Sequence, residues 1–424
     1  LDKRAFLSEL FDAAIAAADP KQALAAHLPS RPKGRTVVIG AGKGAAQLAA
    51  AFEDLWDTPV EGTVVTRYGY SCPTRYIKVL EAAHPVPDEA SRAASNALFQ
   101  QVKGLSPDDL VVALICGGGS ALLAAPAVGL TLADEVALNE ALLASGAPIG
   151  AMNALRKQIS AVKGGRLAAA CAPARVVTLV VSDVPGDDPA QVASGPTVPD
   201  HRGRNDALKA VTDYNITLPD TIARQLAEAP EDAPSPEDPR FQRNEVYVIA
   251  SAAMSLEAAA KRAEKLGCTA VILSDAIEGE AREVAKVHAA IARQVVMRSQ
   301  PFKPPVVILS GGETTVTLRA SGGRGGRNSE FLLSLALELD GSVQITALAA
   351  DTDGIDGSED NAGAFADSRT VQHMRQVGMD PAAALGQHDS YSAFAAVGAL
   401  FVTGPTGTNV NDFRAILIDA AADE

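Results

Sequence analysis

Short runs of β-branched and aliphatic residues recur along the chain. Each is followed by a glycine- or serine-rich turn and then an alanine-rich stretch with helical spacing. RTVVIGAGKGAAQLAAAF is the first instance and DLVVALICGGGSALLAA the second. VVTLVVSDVPGDD supplies a third strand, and EVYVIASAAMSLEAAAKRAEKLG and TAVILSDAIEGEAREVAKVHAAIARQV continue the alternation. PVVILSGGETTVTL and VQITALAADTDGIDG add further strands. Continuous apolar strands alternating with helices predict an α/β protein with mostly parallel, doubly wound sheets covered on both faces. In such sheets ligands bind beyond the carboxyl ends of the strands, where the polar motifs of this chain lie.

With 424 residues, the chain exceeds what one hydrophobic core usually organises, so two α/β domains are expected. The segment Leu226 to Arg243, rich in proline and acidic residues, reads as the connection between them. It sets a Rossmann-like N-terminal domain at 1–235 and a C-terminal domain at 236–424, with the active-site cleft expected between them. One uncharged run, Leu110 to Ala133, has the length of a membrane span, but CGGGS and Pro126 interrupt it, so strand, loop and helix fit better. No secretory or transit segment is visible, and LDKRAFLSELFDAAIAAADP reads as an amphipathic helix. The four cysteines lack CxxC spacing and read as buried free thiols of a reducing cytoplasm.

A formal net charge of −14 argues against nucleic acid and anionic membranes as partners. An acidic protein that binds an anion must concentrate its cations locally or recruit a metal. Three loops fit that requirement. IGAGKGAA closes the first strand; Gly40, Gly42 and Ala45 match a loose dinucleotide fingerprint, and Lys43 sits within the turn. The next strand, GTVVTRYGY, ends without the acidic residue that a ribose hydroxyl wants. In CGGGSALL, Gly117, Gly118 and Gly119 expose backbone N–H groups and Ser120 adds a hydroxyl, the makings of an anion nest. SGGRGGRNSE pairs Arg324 and Arg327 with four glycines, which suits a loop built to hold a carboxylate or phosphate.

NALRKQISAVKGGRLA reads as one helix whose face carries Asn153, Arg156, Lys157, Ser160 and Lys163, cationic enough to line a site. Asp183 emerges from a strand end, the usual place for a Mg²⁺ ligand or a catalytic base. AADTDGIDGSED fails the EF-hand pattern, with Ile355 and Asp356 at its fifth and sixth positions, and reads as an acidic loop for hydrated magnesium. The histidines lack zinc spacing, and there is no GxSxG elbow. Glycine nests, a loop lysine, paired arginines and strand-end aspartates together suit phosphoryl transfer.

The chain also resembles the class II glycerate kinases, whose C-terminal part is called the MOFRL domain. The resemblance is carried by GAGKGA, AAHPVPDEAS, ICGGGSALL, LRKQISAVKGGRLA, SDVPGDD, ASGPTVPD, LSGGETTVTL, GGRGGRNSEF, DTDGIDG and TGPTGTNVND, in order from about Gly40 to Asp412. It implies ATP-dependent phosphorylation of D-glycerate at its 2-hydroxyl, giving 2-phosphoglycerate, with Mg²⁺ or another divalent cation, in the cytoplasm; a homodimer stays open. The family's site lysine and arginine fall on Lys43 and Arg327. Asp183 would act as base or metal ligand, with Asp351 or Asp353 near the metal. Gly312, Glu313, Asn328, Thr406 and Asn409 lie in the matching stretches and complete the expected binding set. Many members carry histidine at the place of Gln158 and glutamine at that of Ser329, which bears on substrate preference. An NAD(P)H-dependent hydroxypyruvate reductase and a non-catalytic anion-binding protein are the alternatives.

Overall fold

The computed structural model describes residues 2–229, 231–318, 323–341 and 344–420. The chain forms two compact units, Pro20–Ile249 and, separately, Leu1–Asp19 with Ala250–Glu424. The first contains strands β1 (Thr36–Ala41), β2 (Glu61–Arg67), β3 (Ile77–Ala82), β4 (Leu110–Cys116), β5 (Arg175–Val181) and β6 (Glu245–Ala250). Their order is β3-β2-β1-β4-β5-β6, and the pairs from β3 through β5 are parallel. Every residue of β4, and all but the first of β1 and β5, is buried, as the uninterrupted apolar runs require. The order reverses between β1 and β4, the kind of switch point beyond whose strand ends such sheets bind ligands.

The second unit contains β7 (Thr269–Ile272), β8 (Ile277–Glu280), β9 (Val306–Thr315), β10 (Ile345–Asp351), β11 (Gly363–Asp367), β12 (Leu400–Phe401) and β13 (Asp412–Ile418). Its sheet runs β12-β11-β10-β13-β9-β7, with β8 on β9. Only β7 and β8 pair in parallel; β13 runs antiparallel to both β9 and β10, and β11 antiparallel to β10. The α/β class therefore holds, while the second sheet is mixed instead of mostly parallel. The cause is β11 and β13, two strands that the alternation of apolar runs and helices does not single out.

Helix Lys3–Ala17 belongs to this second unit. Asp2 caps it, accepting from the N–H groups of Arg4 and Ala5 at 3.1 and 3.3 Å. Phe6, Leu7, Leu10, Phe11 and Ala14, at helical spacing, enter a core with Leu256, Ala259, Phe365 and Phe413. The segment expected to connect the domains stays within the first unit, where Phe241 is buried in its core. No helix among the described residues is long and apolar enough to cross a membrane. Leu110 to Ala133 forms β4, a tight turn and the short helix Gly119–Leu122. The cysteines are free; Cys116, Cys171 and Cys268 are buried and Cys72 is half-buried.

Inside the second unit, His288 bonds through Nδ1 to the Val284 carbonyl at 2.9 Å and through Nε2 to the Ser310 hydroxyl at 3.0 Å. A carbonyl only accepts, so Nδ1 carries a proton; burial keeps the ring neutral, and Nε2 then accepts from the Ser310 hydroxyl. Burial pushes its pKa from 6.5 down to about 4, against the Val284 bond and helped by Arg414. Between those values the unfolded chain binds the extra proton and the folded one does not, so stability falls as pH drops through this window. A His288→Phe protein should have a lower Tm at pH 7 but a shallower loss of Tm between pH 6.5 and 4 than the unaltered chain.

Candidate active site

The turn after β1 places Gly42 and Lys43 against the turn after β4. The Lys43 N–H donates to the Gly117 carbonyl at 2.9 Å, and the Thr66 hydroxyl of β2 donates to the Lys43 carbonyl at 2.9 Å. Gly42 has φ 137°, and a methyl group there would lie 2.4 Å from both the carbonyl oxygen and the Sγ of Cys116. No side chain could occupy that position. Two further glycines bare a floor. A Cβ on Gly117 would stand 2.1 Å from Oδ2 of Asp183, and one on Gly118 would stand 3.0 Å from Cγ of Lys43 and 3.1 Å from Nε2 of His84. Lys43, Asp183 and His84 therefore rest on two successive residues, at the ends of β1, β5 and β3.

His84, which meets Lys43 over Gly118, is a residue that the sequence did not single out. It lies in AAHPVPDEAS after β3, a strand of mixed burial, so only its place within a matching stretch marked it. Burial, then the charges of Lys43 and Arg67, push its pKa down to about 4, so the imidazole is neutral at neutral pH. Cys116, beneath the same turn, has its thiol pushed up to about 12 by burial and is inert as a nucleophile.

Gly119 and Ser120 turn towards a second group. Ser120 shares a hydrogen bond with Ser194 at 2.9 Å; Ser194 donates to Asn153 Oδ1 at 2.9 Å, and Arg156 reaches the same oxygen at 3.1 Å. Ala193 and Ser194 both have left-handed φ, 53° and 60°. Such backbone is sparsely populated by non-glycine residues and persists only when its surroundings hold it.

The expected cationic helix face is not formed. The helix ends at Gln158, and Gly164 and Gly165, at φ 63° and 81°, turn the chain before Arg166–Cys171 begins a new one. Lys163 is spent on a buried ion pair with Glu135 at 2.5 Å and on the Leu123 carbonyl. Lys157 is paired with Asp200 in the same way, and both lysines are fixed in the interior. Arg156 keeps a link to the site only through Asn153. Gln158 is buried, and its Nε2 has no partner among the described residues.

The second unit holds a separate constellation around Arg327, the first residue of helix Arg327–Glu338. Its Nε donates to Asp412 at 2.6 Å, Nη2 to Asp351 at 2.7 Å and Nη1 to Glu313 at 2.9 Å. Burial alone would lower its pKa, but these three carboxylates more than offset that and hold the guanidinium above its ordinary value. Asp412 is fully buried yet kept below the usual carboxylate range: burial opposes this, and Arg414, Arg327, the Thr314 N–H and Asn328 outweigh it. Asp351 is raised by burial, which outweighs the attraction of Arg327, and by the charges of Asp353 and Asp412. Asp356 is also buried and raised by burial; it accepts from the N–H groups of Asn328 and Ser329 at 2.9 and 2.8 Å, closing the helix N-terminus. The Ser329 hydroxyl donates to the same carboxylate at 2.6 Å.

Other expected residues serve this frame. Asn328 Nδ2 donates to Asp412 at 2.8 Å. Gly312, at φ 116°, lets β9 meet Ile277, whose N would lie 2.2 Å from a Cβ. The Thr406 hydroxyl donates to the Thr352 carbonyl, and Asn409 accepts from the Asn411 N–H at 3.0 Å. Arg324 points elsewhere, pairing with Glu359 and lying 4.2 Å from the Tyr391 ring centroid. Among the described residues no three His, Cys, Asp or Glu side chains converge as a metal site. Asp351, Glu313 and Asp412 do gather, but around Arg327, and Asp353 Oδ1 is turned to the Ile355 N–H at 2.9 Å. This donor set does not fit a resident cation.

Residues 6–227 match a family described as a domain of unknown function (DUF4147), and residues 306–412 match the MOFRL family. A glycerate 2-kinase of Pyrococcus horikoshii is 40% identical, the match covering 89% of this chain and 86% of that protein. An Agrobacterium vitis protein that carries a provisional hydroxypyruvate reductase name is 53% identical over 98% of this chain and 94% of its own. The crystal structure of a glycerate kinase from Thermotoga maritima superposes with a TM-score of 0.87 at 36% identity, covering 98% of this chain and 99% of that one.

The Arg327 frame predicts a measurable cost. Asp412→Asn would leave Arg414 and Arg327 without their shared buried counter-charge, and should lower unfolding stability in urea by about 3–5 kcal/mol.

Proposed function

The chain belongs to the MOFRL family of glycerate 2-kinases, and we propose that it transfers the γ-phosphoryl group of ATP to the 2-hydroxyl of D-glycerate. The observation that carries this reading is the meeting of Lys43 and Asp183 on the Gly117–Gly118 floor, beyond the carboxyl ends of a parallel sheet. Phosphoryl transfer asks for a cation on the moving group and an acceptor held in line, and little covalent help. Lys43 supplies the cation. Asp183 takes the proton of the 2-hydroxyl as its oxygen bonds to phosphorus; the bond from phosphorus to the ADP oxygen breaks, and 2-phosphoglycerate and ADP result. Arg327, each of whose nitrogens already donates to a carboxylate, keeps two further N–H groups for an anionic group of the substrates. The divalent cation in this scheme is the one that ATP brings on its phosphates, since the carboxylates around Arg327 do not fit a resident ion.

Hydroxypyruvate reduction is the second reading. The name of the Agrobacterium vitis relative favours it, as does the loose dinucleotide turn at Gly40. Against it, β2 ends at Arg67 without an acidic residue for a ribose hydroxyl, and Arg67 lies over the Tyr70 ring at 4.0 Å.

D-glycerate and MgATP, coupled through enolase, pyruvate kinase and lactate dehydrogenase without phosphoglycerate mutase, test the kinase directly. A parallel mixture without enolase counts ADP alone. Signal in both supports the 2-kinase; ADP without an enolase substrate means another acceptor position or an ATPase. Silence in both, with hydroxypyruvate oxidising NADH or NADPH, would establish the reductase instead. In the active enzyme, Lys43→Ala and Asp183→Asn should each lower kcat by roughly 10²–10⁴-fold while the KM for ATP changes much less. Full activity in a folded Arg327→Ala protein would remove that residue from the mechanism.

A further inference from the structure

We infer that His84 is a further catalytic residue, whose Nε2–H donates a hydrogen bond to the same phosphoryl group that Lys43 holds over Gly118. The inference rests on the kinase reading and adds a residue to it. Its basis is geometric. Nε2 of His84 and the Cγ and Cε of Lys43 lie 3.1, 3.0 and 3.2 Å from one point, the position a Cβ on Gly118 would take. The glycine, at φ 77°, lets the lysine stem and the imidazole edge close on that point from two sides. A group that reaches the lysine beside this turn therefore meets the imidazole as well. Among the described residues nothing hydrogen-bonds the ring nitrogens of His84.

The chemistry of the surroundings identifies the ligand as an anion. Lys43 and Arg67 are the charges that act most strongly on the ring, and both are positive. Burial first, and then these two charges, keep the imidazole neutral. A neutral imidazole donates a hydrogen bond without a third cation having to be held beside two others. Donors aimed at developing negative charge act most strongly in the transition state, so the loss of one shows in kcat.

Wild-type turnover of D-glycerate is measured first, and its absence would overturn the kinase reading together with this one. With turnover established, His84→Leu should lower kcat about 100-fold and leave the KM for D-glycerate within about threefold. His84→Gln, whose amide N–H reaches near the place of Nε2, should recover about tenfold of that loss. A His84→Leu enzyme with wild-type kcat would overturn the role of His84 alone. Equal impairment of both variants, with matching falls in Tm, would also overturn it, since that pattern belongs to a packing residue. A third measurement does not depend on the variants folding. In the unaltered enzyme, diethyl pyrocarbonate modification of His84, followed by peptide mass spectrometry, should slow in the presence of MgADP with 2-phosphoglycerate. An unchanged modification rate would overturn the contact.

Discussion

An ionised carboxylate survives in a protein interior only where cations and N–H groups meet it from several sides, and Asp412 imposes that demand on the second unit. Arg414 and Arg327 supply the charge, and Thr314 and Asn328 supply further donors. Each partner comes from a different part of the sheet or its flanking helix, so the carboxylate fixes β9, β13 and the start of helix Arg327–Glu338 together. Arg327 is thereby held in one rotamer with its fork spread over three acids. A guanidinium restrained in this way has little side-chain entropy left to lose.

The first unit solves the complementary problem with absence. Gly42, Gly117 and Gly118 hold no side chains, so Lys43, Asp183 and His84 can approach the backbone and one another. β1, β4 and β5 beneath them are buried but for the first residues of β1 and β5, and give the turns a rigid base. Ala193 and Ser194 are adjacent residues in left-handed backbone, held by the Ser194 hydroxyl, which donates to Asn153 and accepts from Ser120.

Much of this is legible in the sequence, for reasons that can be stated residue by residue. β1, β4 and β5 are unbroken apolar runs, and Lys43 and Asp183 directly follow two of them. The mixed sheet is not legible, because β11 and β13 are antiparallel partners whose register depends on β10 and β9. Lys157 and Lys163 are misread as a binding face because their counter-charges, Asp200 and Glu135, lie 43 and 28 positions away. Asp412, Arg414 and Asp356 escape for the same reason: a buried charge network has no local signature. His84 follows a strand of mixed burial, and one histidine among six carries no periodic signal.

Helix Lys3–Ala17 packs against Phe413, nearly four hundred residues later in the chain. The unit Pro20–Ile249 is in effect inserted between this helix and the rest of its own core. During synthesis the inserted unit has its whole sequence available early and can fold while the remainder is still being made. The apolar stripe of Phe6, Leu7, Leu10 and Phe11 meanwhile has to wait for the C-terminal strands before it has anything to bury against. A ribosome-bound intermediate would therefore carry this hydrophobic helix exposed, a natural holding point for a chaperone until β13 emerges.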